Sequence, residues 1–147
     1  MSNASFSISE QKVQFSQPDI SLPVGYQTLA QQFFQRDIPS PYEVEMAIAT
    51  FEDHIQATPQ LHHIASEFDC HDDYLKQIMQ IADVRDGISQ EEIEQVFNRI
   101  ADVVSGSPKR DGEFPEDKNF ISYLLMIREL SHHLHIEKIR NGQSFSY

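Results

Sequence analysis

The sequence is poor in the features that mark secreted and membrane proteins. It contains one cysteine, Cys70, which excludes an internal disulfide and fits a reducing compartment. Its apolar clusters, such as YLLMI at 123–127, are far shorter than the roughly 18 to 20 residues that span a membrane. Residues 1–15 have neither the basic start nor the apolar stretch of a secretory signal. These absences predict a cytoplasmic protein.

Basic residues are also scarce, because 11 Lys and Arg stand against 23 Asp and Glu, a formal net charge of −12. Such a chain repels phosphate backbones and anionic lipid headgroups, so we expect it to bind neither nucleic acid nor membranes. The sequence also lacks the G-x-S-x-G, P-loop and G-x-G-x-x-G motifs, which removes the basis for a serine hydrolase, NTPase or dinucleotide-binding interpretation. No catalytic residue is predicted, and the balance favours a non-enzymatic role.

Two hydrophobic patterns divide the chain, whose 147 residues and 39% hydrophobic content fit one globular domain. Residues 1–25 alternate apolar and polar side chains, which predicts an extended or β-hairpin arm. Residues 26–140 have the spacing of helices, and residues 141–147 form a C-terminal tail. The predicted fold is therefore mainly α, a bundle of about five helices with a short N-terminal arm.

Two of the predicted helices begin with a capping box, in which a serine and the glutamate three residues later bond each other's backbone N–H groups. Ser40 and Glu43 mark the start of the second helix, and Ser89 and Glu92 mark the start of the fourth. A last helix is predicted from about Pro115 to Ile139. Because its first half is apolar on nearly all sides, we expect it to be the central helix of the bundle.

The third predicted helix, 61–84, contains the stretch LHHIASEFDCHDD. If this helix is continuous, His63, Glu67 and His71 are successive i, i+4 neighbours, and His132 of the last helix could join them. Imidazole and carboxylate groups one turn apart suit zinc or iron. These four residues are the predicted metal ligands.

A structural interpretation competes with this metal site. His71 falls on the apolar face, where a bond to a carboxylate such as Glu67 would satisfy it. Alternatively, DCHDD breaks the helix, and Asp72 caps a new helix that begins at Asp73. The acidic setting of Cys70 raises a thiol pKa, so we predict an inert thiol.

Two shorter patterns also resemble metal sites. The adjacent His71-Asp72 pair resembles that of metal-dependent phosphohydrolases, a family that needs a further histidine and a further aspartate. Glu129-x-x-His132 has the spacing of di-iron bundles, which need a second such motif and two more glutamates. Counted at about 100° per residue from Ile127, Glu129 and His132 point away from the apolar stripe, so both are predicted to be exposed.

Carboxylates without counter-charges crowd the region between Arg36 and Lys76. A solvated face is one interpretation. A docking surface for a basic protein is the other, because clustered like charge steers an oppositely charged partner. The predicted partner-binding residues are Glu43, Glu45, Glu52, Asp53, Asp69, Asp72 and Asp73.

From these observations we expect a small acidic binding or accessory protein of the immunity, chaperone or adaptor kind. It would dock a protein partner with a basic surface and need no cofactor. One alternative is a small metal-dependent helical hydrolase or oxidoreductase that holds a divalent metal in the His/Glu cluster. Another is a structural subunit of a larger assembly, such as a homo-oligomer, in which the arm pairs with another chain's sheet edge.

Overall fold

The computed structural model describes residues 4–16, 19–62 and 64–141. In chain order the elements are β1 (Ser5–Ile8), β2 (Val13–Ser16), β3 (Ile20–Leu22), α1 (Tyr26–Phe33), α2 (Pro41–Gln56), a 3₁₀ turn (Pro59–Leu61), β4 (Glu67–Asp69), α3 (Asp73–Ala82), β5 (Gly87–Ser89), α4 (Gln90–Val104), α5 (Lys118–His133) and β6 (Lys138–Arg140). The strands form one six-stranded sheet in the order β3-β2-β1-β4-β6-β5.

The sheet is mixed, with an antiparallel half and a parallel centre. Strands β1, β2 and β3 form an antiparallel meander, β4 is parallel to both β1 and β6, and β5 is antiparallel to β6. The buried rings of Phe6, Phe15 and Phe68 meet across β2, β1 and β4, with centroids 5.7 to 6.0 Å apart. This aromatic contact ties the first strands to the rest of the core.

The capping boxes predicted for the second and fourth helices are confirmed. Ser40 Oγ accepts the Glu43 N–H at 3.2 Å, and the Glu43 carboxylate accepts the Ser40 N–H at 3.0 Å. Ser89 and Glu92 exchange the same two bonds at 3.1 and 2.9 Å. These local signals set where α2 and α4 begin.

Helix α5 is the most buried helix, as its apolar first half predicts. Every residue from Phe120 to Ile127 is buried. The helix contacts all four other helices of the described chain. It ends at His133 rather than at Ile139, and the left-handed backbone of His135 (φ 54°) turns the chain into β6.

The predicted mainly α bundle with an N-terminal arm is wrong, because the described residues form an α/β fold around a mixed sheet. Residues 5–8, 13–16 and 20–22 form three paired strands with buried side chains rather than an arm laid on a bundle. The alternation of apolar side chains was therefore a correct strand signal, assigned to the wrong architecture. Most of the predicted tail, 142–147, lies outside the described residues.

The continuous third helix is also wrong. Residues 67–69 form β4, which pairs with β1 and β6, and α3 begins only at Asp73 with Asp72 as its N-cap residue. The alternative of a break at DCHDD is confirmed. The apolar side chains of this segment step by three and four, but sheet pairing and burial of Phe68 determine its conformation.

None of the helices among the described residues is both long and apolar enough to cross a membrane.

Candidate functional site

A cleft opens where the chain leaves neighbouring parallel strands in opposite directions. From β1 the chain turns to β2 on one side, and from β4 it leads through α3 to β5, which lies beyond β6 on the other side. In open α/β sheets, ligands bind in the crevice outside the carboxyl ends of strands at such a point. Here the cleft has a volume of about 550 Å³ and includes Ser7, Ile8 and Ser9 at the end of β1. We call it the carboxyl-edge cleft.

Asp72 connects three elements at the base of this cleft. Its Oδ1 accepts the Ser7 hydroxyl at 2.6 Å, and its Oδ2 accepts the Ile8 N–H at 2.9 Å and the Tyr123 hydroxyl at 2.7 Å. Although Asp72 is the N-cap residue of α3, its side chain makes no capping bond. The carboxylate instead joins β1 to α5 across the start of α3.

Three tyrosines form one wall of the cleft. The ring centroids of Tyr26 and Tyr74 lie 5.1 Å apart, and those of Tyr74 and Tyr123 lie 5.4 Å apart. Tyr74 donates its hydroxyl to Asp117 Oδ2 at 3.1 Å, while Asp117 Oδ1 accepts the Asn119 N–H and caps α5. The wall is therefore held by ring contacts and by one carboxylate.

Burial and nearby carboxylates keep the cleft hydroxyls protonated. Burial, followed by the charge of Asp117, raises the pKa of Tyr74 to about 12. Burial raises the pKa of Tyr26, and Glu10, Asp72 and Asp117 raise it further. The same causes act on Cys70, where burial first and Asp72 second raise the thiol pKa. The thiol is buried, which supports the prediction that it is inert.

The N-terminus of α1, which also reaches this cleft, is closed by the protein's own backbone. The Tyr26 N–H bonds the Ser9 carbonyl at 3.1 Å, and the N–H groups of Gln27 and Thr28 bond the Glu10 carbonyl at 3.0 and 3.2 Å. A side chain at Gly25 would collide with the backbone of Ser9 to Gln11, so the close approach requires glycine. The N–H groups at the start of a helix can bind an anion, but these three are already bonded to backbone carbonyls.

A second group of functional side chains lies toward the other end of α5. Glu52 of α2 and Glu129 and His133 of α5 each offer a ligand atom, and these atoms all lie within 4.8 Å of one another. His133 Nε2 is 3.1 Å from Glu52 Oε2 and 3.3 Å from Glu129 Oε1. We call these three residues the Glu/His triad. The donor set, two carboxylates and one imidazole, could hold a divalent metal.

The triad is positioned by buried charges on α5. Glu129 is only 2% exposed, and its Oε2 accepts Arg128 Nη1 at 2.8 Å. Arg128 also donates to both carboxylate oxygens of Glu94, at 3.0 and 3.2 Å. Burial raises the pKa of Glu129, and its hydrogen bond with Glu52 raises it further. The two glutamates thus share a site in which a proton or a cation stabilises their charge.

The predicted metal ligands do not lie on one helix. Glu67 is in β4 and accepts Arg140 Nη2 at 2.7 Å, and His71 is exposed in the loop after β4. His132 bonds Glu94 through Nε2 at 2.9 Å. His63 lies outside the described residues, so a site that includes it stays a prediction. The i, i+4 geometry that suggested the set is absent, because the segment forms a strand and a later helix.

The predicted docking carboxylates do not form one free surface. Glu43 caps α2, Glu52 belongs to the Glu/His triad, and Asp72 is bonded inside the carboxyl-edge cleft. Glu45 and Asp53 are exposed on α2, Asp73 is exposed beside Lys76, and Asp69 lies half-buried in β4.

Sequence reasoning missed the triad for two reasons. Glu129 and His133 have the i, i+4 spacing of a helical ligand pair. However, Glu129 was predicted to be exposed, and it was considered only together with His132, as a Glu-x-x-His motif. The all-round apolar character of α5 was the signal that its polar side chains would also be buried. Glu52 comes from another helix, and no sequence pattern connects it to α5.

Comparison with known proteins identifies the fold. No protein-family model and no curated protein sequence matches the chain. A solved Ppx/GppA enzyme from Aquifex aeolicus matches with a TM-score of 0.71 and 14% identity, over 93% of this chain and 52% of that one. A type II variant of the Aquifex aeolicus Ppx/GppA phosphatase gives 0.72 and 13%, over 93% and 51%. An exopolyphosphatase-like protein gives 0.69 and 9%, over 93% and 53%.

These similarities overturn the prediction of an acidic adaptor, which rested on carboxylate-rich faces of a helical bundle. The chain instead resembles enzymes built on a mixed sheet, and several of its carboxylates are bonded inside the fold. The sequence identities are low, and the chain spans about half the length of the structures that it matches. It therefore has the fold of Ppx/GppA enzymes over about half of their length.

Proposed function

We propose that this chain is a divalent-metal-dependent hydrolase domain that acts on a phosphate ester or phosphoanhydride, with the Glu/His triad as its metal centre. The observation that carries the proposal is the convergence of Glu52, Glu129 and His133 from two helices. The substrate class is suggested by the similar structures, which are described as a Ppx/GppA phosphatase and an exopolyphosphatase-like protein.

The spacing of the donors fits a small divalent ion. With ligand bonds of about 2.0 to 2.1 Å, two ligands at a tetrahedral centre are separated by about 3.3 Å. The two distances from His133 Nε2, 3.1 and 3.3 Å, are close to that value. Three protein ligands with one open position are also the pattern of catalytic rather than structural zinc sites.

The local charge favours a cation. Glu52, Glu94 and Glu129 form one connected network. Among the described residues, Arg128 is the only Lys or Arg that pairs with these three carboxylates. Three carboxylates and one guanidinium leave two negative charges when His132 and His133 are neutral. A divalent ion would neutralise them, which lowers the cost of burying Glu129.

Each residue of the centre has a distinct role in this proposal. Arg128 fixes the orientation of the Glu129 carboxylate, in the way that outer partners orient metal ligands. The side chains of His133 and Glu52 are 30% and 35% exposed, so the open side of the centre faces solvent and a substrate can reach it. Burial raises the pKa of Glu129 in the metal-free protein, so binding of an ion would release a proton from this site. A bound ion supplies Lewis-acid assistance to hydrolysis.

Hydrolysis of p-nitrophenyl phosphate and of polyphosphate, measured with Zn²⁺, Mn²⁺ or Mg²⁺ and after chelation, tests the proposal. We expect metal-dependent turnover. His133→Ala should reduce kcat by at least about a hundredfold, as the loss of one group that stabilises charge in the transition state does in other enzymes. His71→Ala is the matched control, because His71 is an exposed histidine outside the triad. Thermal melts of both variants establish that each is folded.

Two outcomes would contradict the proposal. Turnover that is unaffected by chelation or by His133→Ala would place any activity elsewhere. Stoichiometric metal binding at the triad without hydrolysis of either substrate would refute the hydrolase and leave a metal-binding domain.

A further inference from the structure

The carboxyl-edge cleft has already used the backbone groups that would bind an anion. The Ile8 N–H, at the end of β1, bonds Asp72, and the N–H groups at the start of α1 bond the carbonyls of Ser9 and Glu10. Asp72 thereby occupies, as a side chain, the place that an anionic ligand would take. A phosphate group entering the cleft would find these donors bonded.

The side chains around the cleft carry negative charge. Asp72, Asp73 and Asp117 line it, and no Lys, Arg or His is among its lining residues in the described part of the chain. Within residues 4–16, 19–62 and 64–141, the only basic side chain that pairs with any of these carboxylates is Lys76, 3.8 Å from the exposed Asp73. The field inside the cleft therefore repels anions and concentrates cations.

The tyrosine wall adds a second attraction for a cation. Tyr26 and Tyr74 are partly exposed and line the cleft, so their rings are accessible from it. The negative face of a tyrosine ring attracts an ammonium group within about 6 Å. Because Tyr74 also bonds Asp117, ring and carboxylate lie together and can contact the same ammonium group.

From size, charge and aromatic lining, we infer that the carboxyl-edge cleft binds a small aliphatic amine with two or more ammonium groups. The volume of about 550 Å³ lies within the roughly 300 to 1,000 Å³ of small-molecule sites. Carboxylates contributed by both α3 and the start of α5 can contact more than one ammonium group. The site is independent of the metal centre, since Asp117 and His133 are separated by about 24 Å of helix at 1.5 Å per residue.

The absence of tryptophan makes tyrosine emission the intrinsic probe of this cleft, where three of the five tyrosines lie. Spermidine, Mg²⁺ and inorganic phosphate are titrated separately at one fixed ionic strength, with calorimetry as a second readout. We expect spermidine to bind in one saturating step and to change tyrosine emission. We expect phosphate to produce neither effect.

Asp117→Asn is the test variant, because asparagine retains the capping ability of aspartate at the start of α5 and removes the charge, although an amide group then replaces one of the two oxygens that accept from Asn119 and Tyr74. It should weaken spermidine binding by about fivefold or more, since each charged contact is worth about 1 kcal/mol. Asp53→Asn, which removes an exposed carboxylate of α2, is the matched control and should leave affinity unchanged. Tyr74→Leu should also weaken binding, through loss of the ring.

Each other outcome would overturn the inference. Equal weakening by Asp117→Asn and Asp53→Asn would mean that amines associate with the net charge of the protein rather than with the cleft. Saturable binding of phosphate, or of Mg²⁺ without spermidine, would assign the cleft to another ligand class. A comparable loss of spermidine affinity in His133→Ala would mean that the amine binds at the metal centre rather than in the cleft.

Discussion

Removal of the Asp72 carboxylate is expected to be among the most destabilising single changes in this protein. The side chain accepts three hydrogen bonds, from Ser7 and Ile8 of β1 and from Tyr123 of α5. In Asp72→Ala these donors lose their acceptor. Tyr123 suffers most, because its residue is fully buried.

The magnitude follows from the two shielded bonds, those from the Ile8 N–H and the Tyr123 hydroxyl. A hydrogen bond to a charged group contributes about 1.5 to 3 kcal/mol, so the loss of both should lower the free energy of unfolding of Asp72→Ala by about 3 to 6 kcal/mol. Natural domains are stable by only about 5 to 15 kcal/mol. At roughly 2 to 4 °C per kcal/mol, the melting temperature should fall by about 6 to 24 °C.

Urea denaturation followed by circular dichroism measures this change, and two further variants sharpen it. Asp72→Asn keeps one oxygen for Ile8 and Tyr123, so the loss should fall to about 1 to 2 kcal/mol. Asp73→Ala removes the neighbouring carboxylate, whose side chain is 95% exposed, and should cost less than about 1 kcal/mol. A loss below about 1 kcal/mol in Asp72→Ala, or equal losses at positions 72 and 73, would refute the reasoning.

Three further predictions concern other features of the fold. Cys70 is buried and its thiol pKa is raised, so a thiol reagent should label it only at the rate of global unfolding, and rapid labelling of the native protein would contradict its burial. Gly25→Ala should lower the free energy of unfolding by about 1 to 3 kcal/mol in urea denaturation, because the added Cβ collides with backbone. Hydrogen bonds from Arg99 and from the Arg110 backbone lower the pKa of Glu113 from 4.5 to about 2. An NMR titration should therefore show this ion pair fully formed above about pH 4.5 and lost as the pH falls toward 2, and a midpoint near 4.5 would show that the pair is absent.

Local chemistry explains which parts of the fold could be predicted from the sequence. The capping boxes at Ser40 and Ser89 need only residues three positions apart, so they were predicted correctly. The burial of residues 120–127 also followed from a single segment, because a helix that is apolar on all sides must be covered. The alternation in residues 5–22 likewise identified strands.

The failures occurred where distant pairing determines conformation. The segment 67–69 fits a helical period, yet it forms β4 because its backbone pairs with β1 and β6 and Phe68 fills the core. Residues 138–140 pair with β4 and β5 although the pattern extends α5 to Ile139. Three-residue strands have too little sequence to outweigh a helical pattern, so the fold class was predicted incorrectly.

The candidate sites were hard to predict for the same reason. The Glu/His triad joins Glu52 to two residues of α5, and the carboxyl-edge cleft joins β1, α1, α3 and α5. Dense polar clusters in the sequence, such as LHHIASEFDCHDD, attracted the prediction instead. In the structure that stretch contributes Asp72 and Asp73 to the cleft and, within the described residues, no member of the triad.

The most direct test of the account is the position of a bound metal. Crystals of the protein soaked in Zn²⁺ should give one strong anomalous difference peak among Glu52 Oε2, Glu129 Oε1 and His133 Nε2, with bonds of about 2.0 to 2.2 Å. The Glu129→Gln variant should lose that peak and remain folded. An empty triad with zinc bound at Glu67 or His71 would contradict the proposed metal centre and return the site to the stretch that the sequence first suggested.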